Sequence, residues 1–360
     1  MTCQRGASLA AGLGLALLLS GAARPLEPEL LRGLVLPRPE AAPHAELVEL
    51  GRQLFFDRRL SGDGTMNCAT CHLPGEGFAD GRDVSLAYPT NAHFRNTPTV
   101  VNAALRPRLT WDGRAASVEE QALGPIASPF EMNIHLGLLV EKLRGVPAYR
   151  EAFRRALGTE VSPKGIARVL GAFERTLVAA PSPFDRYAGG DATALTPEAQ
   201  AGLDLFFGKG RCAQCHRGPH FGGEGFESLG LAPNPRVAGE PLRGVSLRYF
   251  AGTFGETLPL GEEDDWGRGF VTGVPEDRGK FLVPTLRQLA RTAPYGHDGR
   301  FATLGEVIDL LDRGGGPMPH RSPRLHPLGL TPAEKAHLIA FLLALTGDDP
   351  PVDRPRLPDP

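Results

Sequence analysis

Two short runs of this chain carry residue types at a spacing that does covalent chemistry: Cys68-Ala69-Thr70-Cys71-His72 and Cys212-Ala213-Gln214-Cys215-His216. On a helical turn, cysteines three apart share a face, and the histidine after them points into the same space. Two thiols so placed add to the vinyl groups of a haem while the imidazole takes the proximal position on its iron. A zinc or redox Cys-x-x-Cys pair needs no histidine immediately after it, and here one follows both times. The chain therefore reads as a carrier of two covalently bound c-type haems.

The elements that must position these motifs repeat with them. Leu50-Gly51-Arg52-Gln53-Leu54-Phe55-Phe56 precedes the first motif, and Ala201-Gly202-Leu203-Asp204-Leu205-Phe206-Phe207 precedes the second. Each reads as an amphipathic helix entered through a proline, Pro43 or Pro197. A helix from Pro163 to Ala179, with Ile166, Val169, Leu170, Phe173 and Leu177 at helical spacing, closes the first unit. Pro181, Pro183 and Gly189-Gly190 mark a linker. A similar helix from Pro332 to Leu345, capped by Thr331, closes the second. The expected organisation is a cytochrome c-like domain over residues 40–190, another over 191–346, and a disordered tail over 347–360. The stretch from Pro233 to Gly279 reads as a long surface excursion. No strand signal is strong, so the fold class is mainly α: two c-type cytochrome domains packed around two haems.

At 360 residues with 41% hydrophobic content and a formal net charge of -2, the chain has room for two cores and no basic excess for nucleic acid. Arg5, the apolar run Ala7 to Leu19 and the small residues Ser20 to Ala23 read as a signal peptide over 1–23, too short an apolar run to span a bilayer. Cys3 would leave with it. The other four cysteines all belong to the two motifs, so no disulfide is expected despite export. The expected location is the periplasm, with no membrane span in the mature chain.

Several blocks resemble the bacterial di-haem cytochrome c peroxidase family, which includes the methylamine-utilisation oxidase MauG. They are Leu54-Phe55-Phe56-Asp57 with Leu60-Ser61-Gly62, Gly77-Phe78-Ala79-Asp80-Gly81, Arg95-Asn96-Thr97-Pro98-Thr99, Trp111-Asp112-Gly113-Arg114, Pro284-Thr285-Leu286-Arg287 and His297-Asp298-Gly299. The resemblance implies a peroxidatic haem held by His72 and an electron-storing haem held by His216, with Trp111 as a relay between them. It also implies that Glu131 and Gln121 stand on the distal side of the first haem, crowded by Pro125. Moving a proton from one peroxide oxygen to the other needs such a carboxylate. Asn96, Thr292 and Pro294 resemble the positions that hold one calcium ion, through an amide oxygen and two carbonyls.

The chain departs from that pattern at two places. Where activated members carry a distal histidine sixteen residues after the proximal one, this chain has Tyr88, with His93 nearby. Where the family places methionine or tyrosine on the second haem, this chain has Leu311, which has no donor atom. Met318, His320 and His326 follow in the next loop as replacement candidates. The expected function is reduction of hydrogen peroxide with electrons from a small c-type cytochrome or copper protein. One alternative is a MauG-like oxidase acting on a side chain of a partner protein, and another is a non-catalytic di-haem electron carrier.

Overall fold

The computed structural model describes residues 26–38, 43–88, 91–238, 241–262 and 264–359. The segment 1–23, expected to be a signal peptide, and Cys3 lie outside them. Helices run over α1 Pro28–Gly33, α2 Ala45–Phe55, α3 Cys68–Cys71, α4 Val118–Ala127, α5 Leu136–Arg144, α6 Pro147–Leu157, α7 Pro163–Glu174 and α8 Pro183–Ala188. They continue with α9 Pro197–Phe207, α10 Pro235–Ala238, α11 Pro241–Gly252, α12 Arg268–Thr272, α13 Leu304–Asp312 and α14 Pro332–Leu343. Strands among the described residues amount to two antiparallel two-residue pairs, Leu86–Ala87 with Asn91–Ala92 and Phe226–Glu227 with Phe281–Leu282. The molecule is mainly helical.

The internal repeat is a repeat of helix crossings. In the first half α2 packs on α7; in the second α9 packs on α14. Both crossings are closed by the same glycine of the repeat. A Cβ on Gly51 would lie 1.8 Å from the Val169 carbonyl oxygen, and one on Gly202 would lie 2.0 Å from that of His337. A phenylalanine of the facing helix, Phe173 or Phe341, packs beside each glycine. Only hydrogen at these two positions lets the helix backbones approach so closely. Each crossing anchors its own core, one built around Leu54, Phe55, Ile166 and Phe173, the other around Phe184, Phe206, Phe221 and Phe341. Cys68 packs against the first core and Cys212 against the second.

Three expectations need correction. The stretch from Pro233 to Gly279 is not a bare surface excursion. It buries Leu247, Ala251, Leu258 and Phe270 around Phe94 as a third small core. Glycine and charge in its sequence mask these few apolar anchors. The helix beginning at Pro163 ends at Glu174, short of Ala179.

The tail beyond Gly347, expected to be disordered, lies along the protein. Val352 packs on the first core, Arg52 donates to the Asp353 carbonyl (2.7 Å), and Arg59 donates to that of Pro358 (2.9 Å). The start of the described chain does the converse. Leu34 belongs to the second core, and its carbonyl accepts from Arg287 Nη2 (2.8 Å). Each end of the chain thus straps the opposite half, satisfying main-chain groups that composition alone assigns to water.

Gly51→Ala and Gly202→Ala should each destabilise by about 1–3 kcal/mol through overpacking. Gly33→Ala, with nothing within 4 Å of the new methyl, should change little. Thermal unfolding of the three haem-loaded variants tests this, and equal melting temperatures would contradict the close-crossing account.

Candidate haem-binding and redox site

Each Cys-x-x-Cys-His motif sits on a short turn, α3 for the first and a 3₁₀ turn over Cys212–Gln214 for the second. In the first, Asn67 and Thr70 form a reciprocal cap, and Asn67 Nδ2 donates to the Phe56 carbonyl at 2.6 Å. The helix with paired phenylalanines thereby fixes the motif that follows it. The four cysteines are free and half-buried. Burial pushes the Cys71 and Cys212 thiols up to about 12, so they are neutral thiols.

The two histidines share one arrangement that the spacing alone does not reveal. His72 Nδ1 lies 3.1 Å from the Phe78 carbonyl, and His216 Nδ1 lies 2.9 Å from that of Phe221. A carbonyl can only accept, so Nδ1 carries the proton and Nε2 keeps its lone pair for iron. Both phenylalanines adopt left-handed backbone, with φ of 55° and 44°, and both rings are fully buried. Burial lowers both imidazole pKa values, which favours the neutral form that ligates.

A cavity of ≈ 570 Å³ opens in front of His216, with Cys212 and Cys215 on its wall, a size suited to a bound cofactor. Arg106 also lines it. Its Nε is buried without a hydrogen-bond partner, and burial alone lowers the guanidinium to about 10. An unpartnered arginine facing a cavity beside two thiols and a ready imidazole fits a haem, whose propionates are carboxylates.

The residues expected at the first haem gather on one side of the first half. Gln121 and Pro125 lie one helical turn apart on α4, and both are half-buried. The chain then folds back in a tight turn. Glu131 N donates to Ser128 (3.1 Å), Met132 N to Pro125 (3.0 Å) and Ile134 N to Ile126 (3.1 Å). This turn brings the Glu131 carboxylate within Coulombic reach of His72, Cys71 and His93. Tyr88 is tied to the same turn, its N–H donating to the Phe130 carbonyl at 2.8 Å. His93 Nδ1 accepts from the Arg95 N–H (3.1 Å), and its ring stacks on Phe94. That bond places the neutral ring's proton on Nε2, so His93 is arranged here as a donor.

Trp111 belongs to the other cavity. It borders the space in front of His216 together with Asn96, Thr292 and Pro294. Its Nε1 donates to the Asn96 carbonyl (2.9 Å), and its own carbonyl accepts from Leu282 N (2.8 Å). Trp111 is thus hydrogen-bonded to a segment of each half, through its indole to one and through its main-chain carbonyl to the other. His297 stands edge-on to it at 6.4 Å and stacks on Phe281 at 3.8 Å. Asn96 Nδ2 is used by the Arg82 carbonyl (2.7 Å), which leaves its Oδ1 as an oxygen donor. Among the described residues no group of three histidine, cysteine or acidic side chains is placed to hold a metal ion.

Sequence reasoning missed the ionic lattice that sets Trp111. Arg95, only 5% exposed, holds Asp112 at 2.5 Å and grips Asp265 through two bonds of 2.6 and 2.8 Å. Arg114 adds a second cation on Asp112 (2.7 Å). Burial opposes the Asp112 charge, yet the two arginines hold its carboxyl down at about 2. Arg95 and Asp112 stand in blocks that the motif reading singled out; Asp265, 170 positions away, carried no local signal.

A family description of di-haem cytochrome c peroxidases matches residues 45–193. The chain is 40% identical over 357 residues to cytochrome-c peroxidase IdrP1 of Pseudomonas sp. (strain SCT), covering 97% of this chain and 94% of that protein. It is 36% identical to the methylamine utilization protein MauG of Methylorubrum extorquens, covering 89% and 86%. Among solved structures it resembles a MauG-like protein associated with microbial copper homeostasis, with a TM-score of 0.71, 32% identity, and coverage of 87% and 93%.

Glu174, 6% exposed on α7, has its carboxyl raised to about 8 by burial and by Glu119, against the pull of Arg175. The folded chain keeps a proton that the unfolded chain releases, so stability falls as pH rises from about 4.5 to about 8. Glu174→Gln removes that slope. Its stability relative to wild type should rise by about 1 kcal/mol or more between about pH 5 and about pH 8. Denaturant unfolding at both ends checks this, and a pH-independent difference would contradict it.

Proposed function

The chain belongs to the di-haem cytochrome c peroxidase family, and we propose that it is a periplasmic enzyme reducing hydrogen peroxide to water with electrons from a small c-type cytochrome or copper protein. The twin histidines, each with Nδ1 bound to a carbonyl, carry this reading. Family membership with peroxidases and oxidases removes the ground for a non-catalytic carrier.

When bound, the two haems supply the redox chemistry, one meeting peroxide and the other holding an electron. The net balance is one peroxide, two electrons and two protons giving two waters. His72 supplies the proximal imidazole on the peroxidatic side. Glu131, on its tight turn after α4, takes the proton from one peroxide oxygen and returns it to the other, so the leaving group departs as water. Gln121, one turn from Pro125, orients peroxide through its amide. Trp111 relays the electron between the halves, its indole bonded to Asn96 of one and its main-chain carbonyl to Leu282 of the other. Residues 40–190 form the peroxidatic domain and 191–346 the electron-storing one. A calcium ion held by Asn96, Thr292 and Pro294 would brace that seam. The segment 1–23 serves as the export signal.

A second reading keeps the haems and changes the substrate to a side chain of a partner protein, as in the MauG branch. Tyr88 in place of a distal histidine favours it, because an unblocked first site needs no activation.

Steady-state oxidation of a reduced small c-type cytochrome by peroxide, with and without pre-reduction of the enzyme, tests both. Rapid turnover is expected, and Glu131→Gln should lower kcat by about 10²–10⁴ at unchanged haem content. Absence of turnover with a long-lived peroxide-induced spectrum would transfer the assignment to the second reading. Full activity in Glu131→Gln would remove that residue from the proton path.

A further inference from the structure

The wall of the His216 cavity contributed by α13 has an unusual composition for a haem site. Its four inward residues, Leu304, Val307, Ile308 and Leu311, recur at helical spacing and present only hydrocarbon. Tyr295 also lines the cavity, but its hydroxyl donates to the Leu289 carbonyl at 2.8 Å, and burial raises its pKa. It is held as a neutral phenol engaged elsewhere. Met318 does not border the cavity. Of the loop histidines that do, His297 is held by stacking on Phe281 beside Trp111, His320 is packed against Gly279, where a Cβ would lie 2.6 Å from its ring nitrogen Nε2, and His326 is exposed to solvent.

We propose that protein ligates the second-domain haem on the His216 side only, and that the opposite face opens onto the apolar α13 wall as a site for a small neutral molecule. The ligand class is a diatomic gas or peroxide, a molecule without charge that hydrocarbon admits and that needs no protein counter-ion. A protein donor on that face would exclude such a ligand and set the potential of the iron. Four hydrocarbon side chains do neither. The second haem is therefore a binding centre as well as an electron store. This rests on the reading of the chain as a carrier of two haems.

Carbon monoxide is the probe, titrated into the fully reduced, haem-loaded full chain, with the spin state of the ferric protein read by electron paramagnetic resonance. Leu311→His and Leu311→Met place a donor on the α13 wall. Each should bind one fewer carbon monoxide per chain than wild type and convert one haem from high spin to low spin. Equal stoichiometry and equal spin state in wild type and both variants would overturn the proposal. So would a gain of one carbon monoxide in His297→Ala, His320→Ala or His326→Ala, because that histidine would then be the missing ligand. Should the Leu311 variants fail to fold, the wild-type protein still decides: a low-spin second haem overturns the proposal and a high-spin one supports it. Haem content is measured separately, and fewer than two covalent haems per chain would overturn the functional reading itself.

Discussion

One backbone hydrogen bond, made twice, governs this structure: a histidine Nδ1 donating to the carbonyl of a phenylalanine five or six residues on. Without it the imidazole is free to rotate and to exchange tautomers, and the iron ligand is undefined. Aiming the carbonyl requires left-handed backbone at Phe78 and Phe221, which costs about 1–2 kcal/mol for a residue with a Cβ. The strain is held by burial. Phe78 packs against Phe55, and Phe221 packs among Phe184, Phe206 and Phe341. Helix crossing, aromatic core and ligand orientation are therefore one linked device, and the glycine that closes each crossing belongs to it.

Joining two such devices is a separate problem, solved by polar chemistry. Arg95, Asp112 and Asp265 are buried charges that stabilise one another only as a set, since removing one leaves the others desolvated and unpaired. Arg287 does similar work at the other side of the seam, with both oxygens of Asp185, Ser182 and two carbonyls as partners. The Arg95 lattice holds the blocks carrying Trp111 and Asn96 against Asp265 of the second half. The crossed terminal straps add reach, each end of the chain covering the core of the other half.

Much of this was legible in the residues. Cys-x-x-Cys-His is short, local and chemically demanding, so the two candidate haem motifs stood out in the residues alone. The Leu50 to Phe56 and Ala201 to Phe207 repeat exposed the duplication because amphipathic periodicity is also local. The tail from Gly347 was misread, since its ordering comes from arginines some three hundred positions away and not from its own composition. The excursion from Pro233 was misread for a related reason, its small core being completed by Phe94 from another part of the chain. The tautomer of His93, the carbonyls under the two ligands and the partners of Arg95 are facts of three-dimensional placement with no sequence signature.

Two haems, one in each half and joined through the Trp111 seam, are proposed to act as a single two-electron unit. Titrating the fully reduced protein with hydrogen peroxide under anaerobic conditions tests it most directly, with both haems followed by absorption. The account predicts that one peroxide per chain oxidises both haems together, and that Trp111→Ala slows the second without changing that stoichiometry. Oxidation of one haem while the other stays reduced at stoichiometric peroxide would contradict it.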